Sequence, residues 1–202
     1  MRNEPRLERW VDALLQTPGL TALRDRAAIV AELLEDSLSA AAPVARESGG
    51  IVDVGSGGGA PGIPLAAALP DREVTLLEAT GWKCAFLERL GREFPNVRVV
   101  HGRAEEQGLE AWGVAVAKAL APPVVAAEWL LPLVGLGGAA ILYLGEVPPE
   151  LPRVAGLLGG SLEEVVAVPG RRGRHLAVLR KVGPTPAGFP RRSGVARKRP
   201  LA

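Results

Sequence analysis

"IVDVGSGGGAPGIPLA", residues 51–66, decides the fold. Five glycines fall within eight residues, at positions 55, 57, 58, 59 and 62. A short β-branched run, "IVDV", precedes them, and "PGIPLAAALP", opened by proline, follows with helical character. A glycine-rich turn between a buried strand and a helix belongs at the carboxyl edge of a parallel sheet, where backbone N–H groups face a bound cofactor. The spacing admits three readings. Gly55-x-Gly57-x-x-Ala60 fits a dinucleotide fingerprint, Gly55-x-Gly57-x-Gly59 fits an S-adenosylmethionine loop, and a bare turn without a ligand is the third.

Outward from this stretch, strands and helices alternate. "VTLLE" (74–78), "VRVV" (97–100), "GVAVA" (113–117) and "GGAAILYL" (137–144) read as strands. "WKCAFLERLGREF" (82–94) and "PPVVAAEWLLPLV" (122–134) read as helices between them. "EEVVAV" (163–168) and "RHLAVLRK" (174–181) flank "PGRRG" as a closing antiparallel hairpin. Upstream, residues 6–16 and 21–42 carry helical periodicity, the second through Leu23, Ala27, Val30, Leu34 and Leu38. Such alternation predicts an α/β fold, a mostly parallel sheet covered on both faces. Residues 1–48 form a helical cap, 49–182 the core, and 183–202, without periodicity, an extended basic tail.

Composition sets limits on function. At 202 residues, 48% hydrophobic and 23% charged, the chain suits one globular domain. Cys84 is the sole cysteine, and with His101 and His175 it does not supply a structural zinc site, so no metal is expected. The opening "MRNEPRLERWVDALL" has no signal-peptide h-region, and the apolar segment 113–145 is interrupted by Lys118, Glu128 and three prolines. A cytoplasmic chain without a membrane span is expected. From residue 165 onward there are ten Lys/Arg and no acids, leaving 14 bases against 22 acids in the remainder. An acidic body with a basic end fits a polyanion-binding surface.

Two carboxylates bear on the choice of cofactor. Asp53 lies two residues before Gly55; placed at the mouth of the site, it repels a pyrophosphate and suits a ligand carrying an ammonium and a sulfonium. Glu78 ends the second strand, 23 residues past Gly55, where it accepts from both ribose hydroxyls of any adenosine-type ligand.

Further blocks then make the chain recognisable. "LTALRD" and "DSL" in the N-terminal helices, "DVGSGGGAPGIPL", "HGRAEE" (101–106), "AKALAPP" (117–123) and "FPRRSGVARKRPL" follow in order. Together they resemble the RsmG (GidB) family of bacterial small-subunit ribosomal RNA methyltransferases, which methylate guanine N7. The resemblance implies a class I S-adenosylmethionine-dependent fold, a Rossmann-like seven-stranded sheet of order 3-2-1-4-5-7-6 with strand seven antiparallel. It places the cofactor against Gly55 and Ala60, with Glu78, Ala79 and Thr80 at the ribose, Ala104 and Glu105 beside the adenine, and Lys118 facing cofactor and base. Asp53, Gly57 and Gly59 complete the expected cofactor set. Arg191, Arg192, Arg197, Lys198 and Arg199 are the expected RNA contacts, the partner being 16S ribosomal RNA or the 30S particle, met by a monomer. Three cations usual in the family are absent: Lys118 replaces an arginine, the Arg-His pair before "DSL" reads Leu34-Glu35, and no lysine follows "LYLGE". Their loss raises a second reading, a non-catalytic RNA-binding or ribosome-assembly protein that retains the cofactor pocket. A nicotinamide-dependent oxidoreductase ranks third.

The chemistry implied is modest in its demands. Guanine N7 carries a lone pair and no proton, so transfer needs no general base, only alignment. Guanine presents O6 and N7 as adjacent acceptors, and a cation such as Lys118 holds O6. A plain strand-end lysine is the competing reading for Lys118. His101 reads as a strand-end residue, His175 as part of the hairpin, Trp82 as core or lid packing, and Cys84 as a buried helix position.

Overall fold

The computed structural model describes residues 4–202; the first three residues of the expected cap lie outside the described residues. Seven strands form one sheet, β3-β2-β1-β4-β5-β7-β6. They are β1 (Ile51–Val54), β2 (Val74–Glu78), β3 (Val97–His101), β4 (Trp112–Lys118), β5 (Val134–Leu144), β6 (Gly160–Ala167) and β7 (His175–Lys181). β1 to β5 run parallel, and β7 lies antiparallel between β5 and β6. This is the expected order. The central strands are buried on both faces, as a sheet sandwiched between helical layers requires.

Alternation along the strands sorts the side chains into two cores. Ile51, Val114, Val116, Ala139 and Ile141 face α1 (Pro5–Gln16), α2 (Arg26–Ile29) and α5 (Gly62–Ala68). Val52, Val54, Ala115, Ala117, Ala140 and Leu142 face α7 (Pro123–Leu130) and α8 (Leu151–Leu157). α6 (Gly81–Gly91) packs on β2 and β3 through Phe86, Leu87 and Leu90. The N-terminal helices share the first core: Leu7, Trp10, Val11 and Leu14 pack with Ile63 and Leu76.

Several boundaries differ from the sequence reading, among them the end of α7 at Leu130 rather than 134 and the starts of β5 at Val134 rather than 137 and of β6 at Gly160 rather than 163. The second helix starts at Arg26 rather than 21, because Asp25 is its N-cap and accepts from the Ala28 N–H at 2.8 Å. It then widens into a π-helical turn over Val30–Glu35, continues as α3 (Asp36–Leu38), breaks, and resumes as α4 (Ala41–Ala45). α8 has no counterpart in the sequence reading, because Pro152 in its first turn and the flanking glycines obscure the buried Leu151, Val154 and Ala155. The tail is not simply extended. It carries α9 (Val195–Lys198), buries Ala196 and packs Phe189 and Leu201 on the second core.

The cap is tied to the sheet by Tyr143 of β5, whose buried hydroxyl donates to the Ser37 carbonyl at 2.5 Å. Burial holds that phenol well above its ordinary pKa, so it remains a donor. Tyr143→Phe removes this bond and leaves the carbonyl with the longer Ala40 N–H contact at 3.3 Å, and we expect a loss of about 1 kcal/mol, read as a lower urea midpoint at unchanged m-value.

Candidate functional site

The glycine turn after β1 does lie at the carboxyl edge of the sheet. It floors a cleft of about 390 Å³ walled by Val54, Leu77, Glu78, Thr80, Ala104 and Leu120, among others. Gly57 has φ +55°, the left-handed region, and a Cβ built there meets only the Gly55 carbonyl oxygen at 3.8 Å. Any side chain at this position is therefore strained and projects into open space on the cleft floor. Gly62 is needed for a different reason: its Cβ would fall 2.2 Å from Leu76 Cδ2 and 2.7 Å from Asp53 Oδ2.

Glu78, at the end of β2, clasps the turn from the front. Its Oε2 accepts from the Gly57 N–H at 2.9 Å and its Oε1 from the Thr80 N–H at 2.8 Å. Each oxygen keeps a lone pair beyond these bonds, so the carboxylate, which lines the cleft, still has acceptor capacity for a pair of hydroxyls. The cap holds the same turn from behind. Trp10 Nε1–H donates to the Gly58 carbonyl at 2.8 Å. A Cβ at Gly58 would fall 2.7 Å from Leu14 Cδ2, so any larger residue there displaces that leucine.

Gly55, Gly57, Glu78, Ala79, Thr80, Ala104 and Glu105 are brought together as expected, all lining the cleft. Four other residues of the expected set do not line it. Asp53 is 1% exposed and sits beneath the turn, not at its mouth. The parity of β1 decides this: Ile51 and Asp53 point to the cap side, Val52 and Val54 to the other. Asp53 Oδ2 accepts from the Gly62 N–H at 3.0 Å, so it anchors the start of α5. Gly59 packs against Ile63 and Trp10, and Ala60 against the cap-side core. Lys118 follows Val114 and Val116 onto the cap side of β4, where its Nζ lies 3.1 Å from Oδ2 of the buried Asp36. This is an ion pair outside hydrogen-bond geometry, since both Asp36 oxygens lack a hydrogen-bond partner among the described residues. The neighbouring Ala119 does line the cleft and has φ +53°, a strained conformation for a residue with a Cβ.

The basic tail is also redistributed. Arg191 grips the buried Glu128 through Nε at 2.7 Å and through a second bond from Nη2. Arg197 lies over the Trp129 ring, 5.3 Å from its centroid, and lines the cleft with Gly194. Arg192, Lys198 and Arg199 are exposed. Lys83, Arg103, Leu120 and Trp129 also line the cleft. Leu120 has a signal in hindsight: a Cβ at Gly55 would fall 2.3 Å from its Cδ1.

The other residues weighed in the sequence fall into structural places. His101 ends β3 with Nε2 3.2 Å from the Ala79 carbonyl, and His175 starts β7 with Nδ1 3.1 Å from the Gly145 carbonyl. Cys84 is buried and donates to the Glu78 carbonyl at 3.2 Å. Trp82 is not core: it is 49% exposed, against Gly19 of the cap.

A second concavity opens between the cap and the β6–β7 hairpin, lined by Glu32, Glu35, Arg171, Arg172 and Arg174. Arg171 and Arg174 both reach Glu32 at 3.0 Å, and Arg171 chiefly holds that carboxyl below its ordinary pKa. Arg171 Nε also lies 3.9 Å from Asp36 Oδ1, so Asp36 stands between this concavity and Lys118.

Two predictions test these placements. Burial pushes the Asp53 carboxyl up to about 7, only partly offset by the Gly62 N–H. A raised folded pKa favours the protonated fold, so stability from this group is full below the unfolded value of 3.8 and falls as pH rises towards 7. The stability of the native chain relative to Asp53→Asn should therefore decline between pH 4 and 7 and level off above, by several kcal/mol at most; melting curves of both proteins across that range measure it, and a flat difference rejects it. Lys118→Ala leaves Asp36 buried beside a more distant arginine, and we expect a cost of about 3 kcal/mol in denaturant unfolding.

Comparison with known proteins follows the same lines. Residues 3–151 match the family model GidB, rRNA small subunit methyltransferase G. The chain is 37% identical over 210 residues to the ribosomal RNA small subunit methyltransferase G of Chloroflexus aggregans, covering 96% of this chain and 88% of that one. It is 38% identical over 202 residues to that of Synechococcus elongatus, covering 92% and 84%. Among solved structures it resembles a Burkholderia thailandensis 1,6-didemethyltoxoflavin-N1-methyltransferase with bound S-adenosylhomocysteine, at TM-score 0.62 and 16% identity over 89% of this chain and 91% of that one. It also resembles a Thermus thermophilus 16S rRNA N2 G1207 methyltransferase in complex with AdoMet and guanosine, at TM-score 0.55 and 20% identity over 76% and 40%. These structural likenesses concern the fold alone.

Proposed function

Because the chain belongs to the rRNA small subunit methyltransferase G family, we propose that it transfers a methyl group from S-adenosylmethionine to N7 of a guanosine in 16S ribosomal RNA. We propose further that it acts as a cytoplasmic monomer and uses no metal. The observation that carries the reading is the clasped glycine turn: an open floor at Gly57 beside a carboxylate with acceptor capacity left for two hydroxyls.

The cleft fits the cofactor on its own chemistry. Gly55 and Gly57 let a ligand approach the backbone, and Glu78 would accept from the ribose hydroxyls, flanked by Ala79 and Thr80. Ala104 and Glu105 would border the adenine. When bound, S-adenosylmethionine supplies an electrophilic methyl on a sulfonium. The protein's part is alignment, since N7 is already a free lone pair and neither a base nor a Lewis acid is called for.

The target base would enter from the cap side. Lys118 lies next to the cleft residue Ala119, and Asp36 holds its ammonium in one place. From there Lys118 would donate to guanine O6, the acceptor adjacent to N7. Arg171, Arg172 and Arg174 border the concavity on that side and are suited to the RNA phosphates, with the exposed Arg192, Lys198 and Arg199 as further contacts. Asp53, Gly59, Ala60 and Arg191 act by holding the turn and the tail in place.

The test is single-turnover transfer of labelled methyl to 16S RNA and to 30S subunits, followed by mapping of the modified base. Label on guanine N7 is the expected outcome; RNA binding without transfer supports the assembly-protein alternative instead. Gly57→Val should abolish S-adenosylmethionine binding in calorimetry, and the strain of a β-branched residue at φ +55° should lower the ligand-free melting temperature while leaving a cooperative unfolding transition. Binding of NAD in place of S-adenosylmethionine overturns the proposal.

A further inference from the structure

The basic tail reads as an RNA arm in the sequence, yet part of it is built into the other cleft. Three contacts place residues 194–197 there. Gly194 and Arg197 line the cleft floored by the glycine turn. The Gly194 N–H points to Glu105 Oε1 at 3.4 Å, a long contact that sets this backbone beside the Ala104–Glu106 turn. Arg197 spans the opening, its guanidinium over the Trp129 ring and its Nη2 3.3 Å from the Leu120 carbonyl. The segment is held from behind by Ala196 in the second core and by the Arg191–Glu128 pair.

Trp129 adds an independent observation. It lines the cleft, it is 8% exposed, and its Nε1–H is buried without a hydrogen-bond partner among the described residues. An orphaned indole donor in a cleft wall is a group that an acceptor on a ligand would satisfy.

Resting on the cofactor reading above, we infer that Arg197 and Trp129 form the adenine-side wall of the cofactor cleft, so that the tail is a cofactor-positioning element there rather than a free RNA arm. The direction follows from the layout. The ribose belongs at Glu78, and the reacting methyl must face Ala119 and Lys118. Adenine then extends the opposite way, towards Ala104 and Glu105, where Gly194, Trp129 and Arg197 stand. A planar guanidinium lying over an indole offers a flat face to the cleft, which suits a purine and does not suit the flexible methionine end.

Isothermal titration of the full chain with S-adenosylhomocysteine and with adenosine separates the possibilities. Arg197→Ala should weaken both ligands by the same factor, about two- to fivefold, while the ligand-free melting temperature stays put. Arg197→Lys should be intermediate. Trp129→Phe, which removes the orphan donor and keeps a ring, should weaken both as well. Arg192→Ala and Arg199→Ala should leave both affinities unchanged. Wild-type affinity in Arg197→Ala overturns the inference alone, and so does a loss confined to S-adenosylhomocysteine, which would put Arg197 at the amino-acid end. Failure of the unaltered chain to bind either ligand overturns the cofactor reading and this inference with it.

Discussion

The rest of the site depends on how one carboxylate is shared between two turns. Glu78 accepts from Gly57 on the loop after β1 and from Thr80 on the loop after β2. Hydrogen bonds to a charged acceptor are worth about 1.5–3 kcal/mol each, enough to hold the glycine turn and the short loop after β2 in one register. The bond from Trp10 to Gly58 secures the opposite side of the first loop. A turn of this composition has little rigidity of its own. Its shape is imposed by an acid in front, a tryptophan behind and Asp53 below.

Much of the architecture was legible because the strands are short, apolar and separated by strong punctuation. The glycine turn, the acid at the end of β2 and the closing hairpin each carry their meaning locally. The boundary errors have local causes too: Asp25 is a cap that an eye for periodicity passes over, and Pro152 is a helix opener that resembles a breaker. Two of the expected site residues that do not line the cleft are more instructive. Asp53 and Lys118 share strand parity with core residues on the cap face, Ile51 for the one, Val114 and Val116 for the other. Counting by twos along each strand shows that neither points away from the cap.

What parity does not reveal is the partner. Asp36 lies 82 positions from Lys118 in the sequence, and nothing near either residue announces the pair. The same holds for the tail. Arg191 looks like any other arginine in a basic run until Glu128, buried on α7, is seen to need a counter-charge. Runs of like charge record composition, whereas their use is decided by which buried acids lie within reach. Two buried acids, Asp53 and Asp36, add to the effect of burial in raising the Tyr143 pKa.

The strand order has a consequence for the order of synthesis. β6 has β7 as its neighbour, and β7 alone separates it from β5. A chain emerging from the ribosome can pair β1 through β5 as each is completed, because each of β2 to β5 has an earlier strand as its neighbour. β6 then waits with neither edge satisfied until the residues of β7 follow, and β7 must slide between two strands already made. The hairpin and the concavity beside it are therefore the last part of the sheet to close, and an arrested chain ending before His175 would present β5 as an open, unpaired edge.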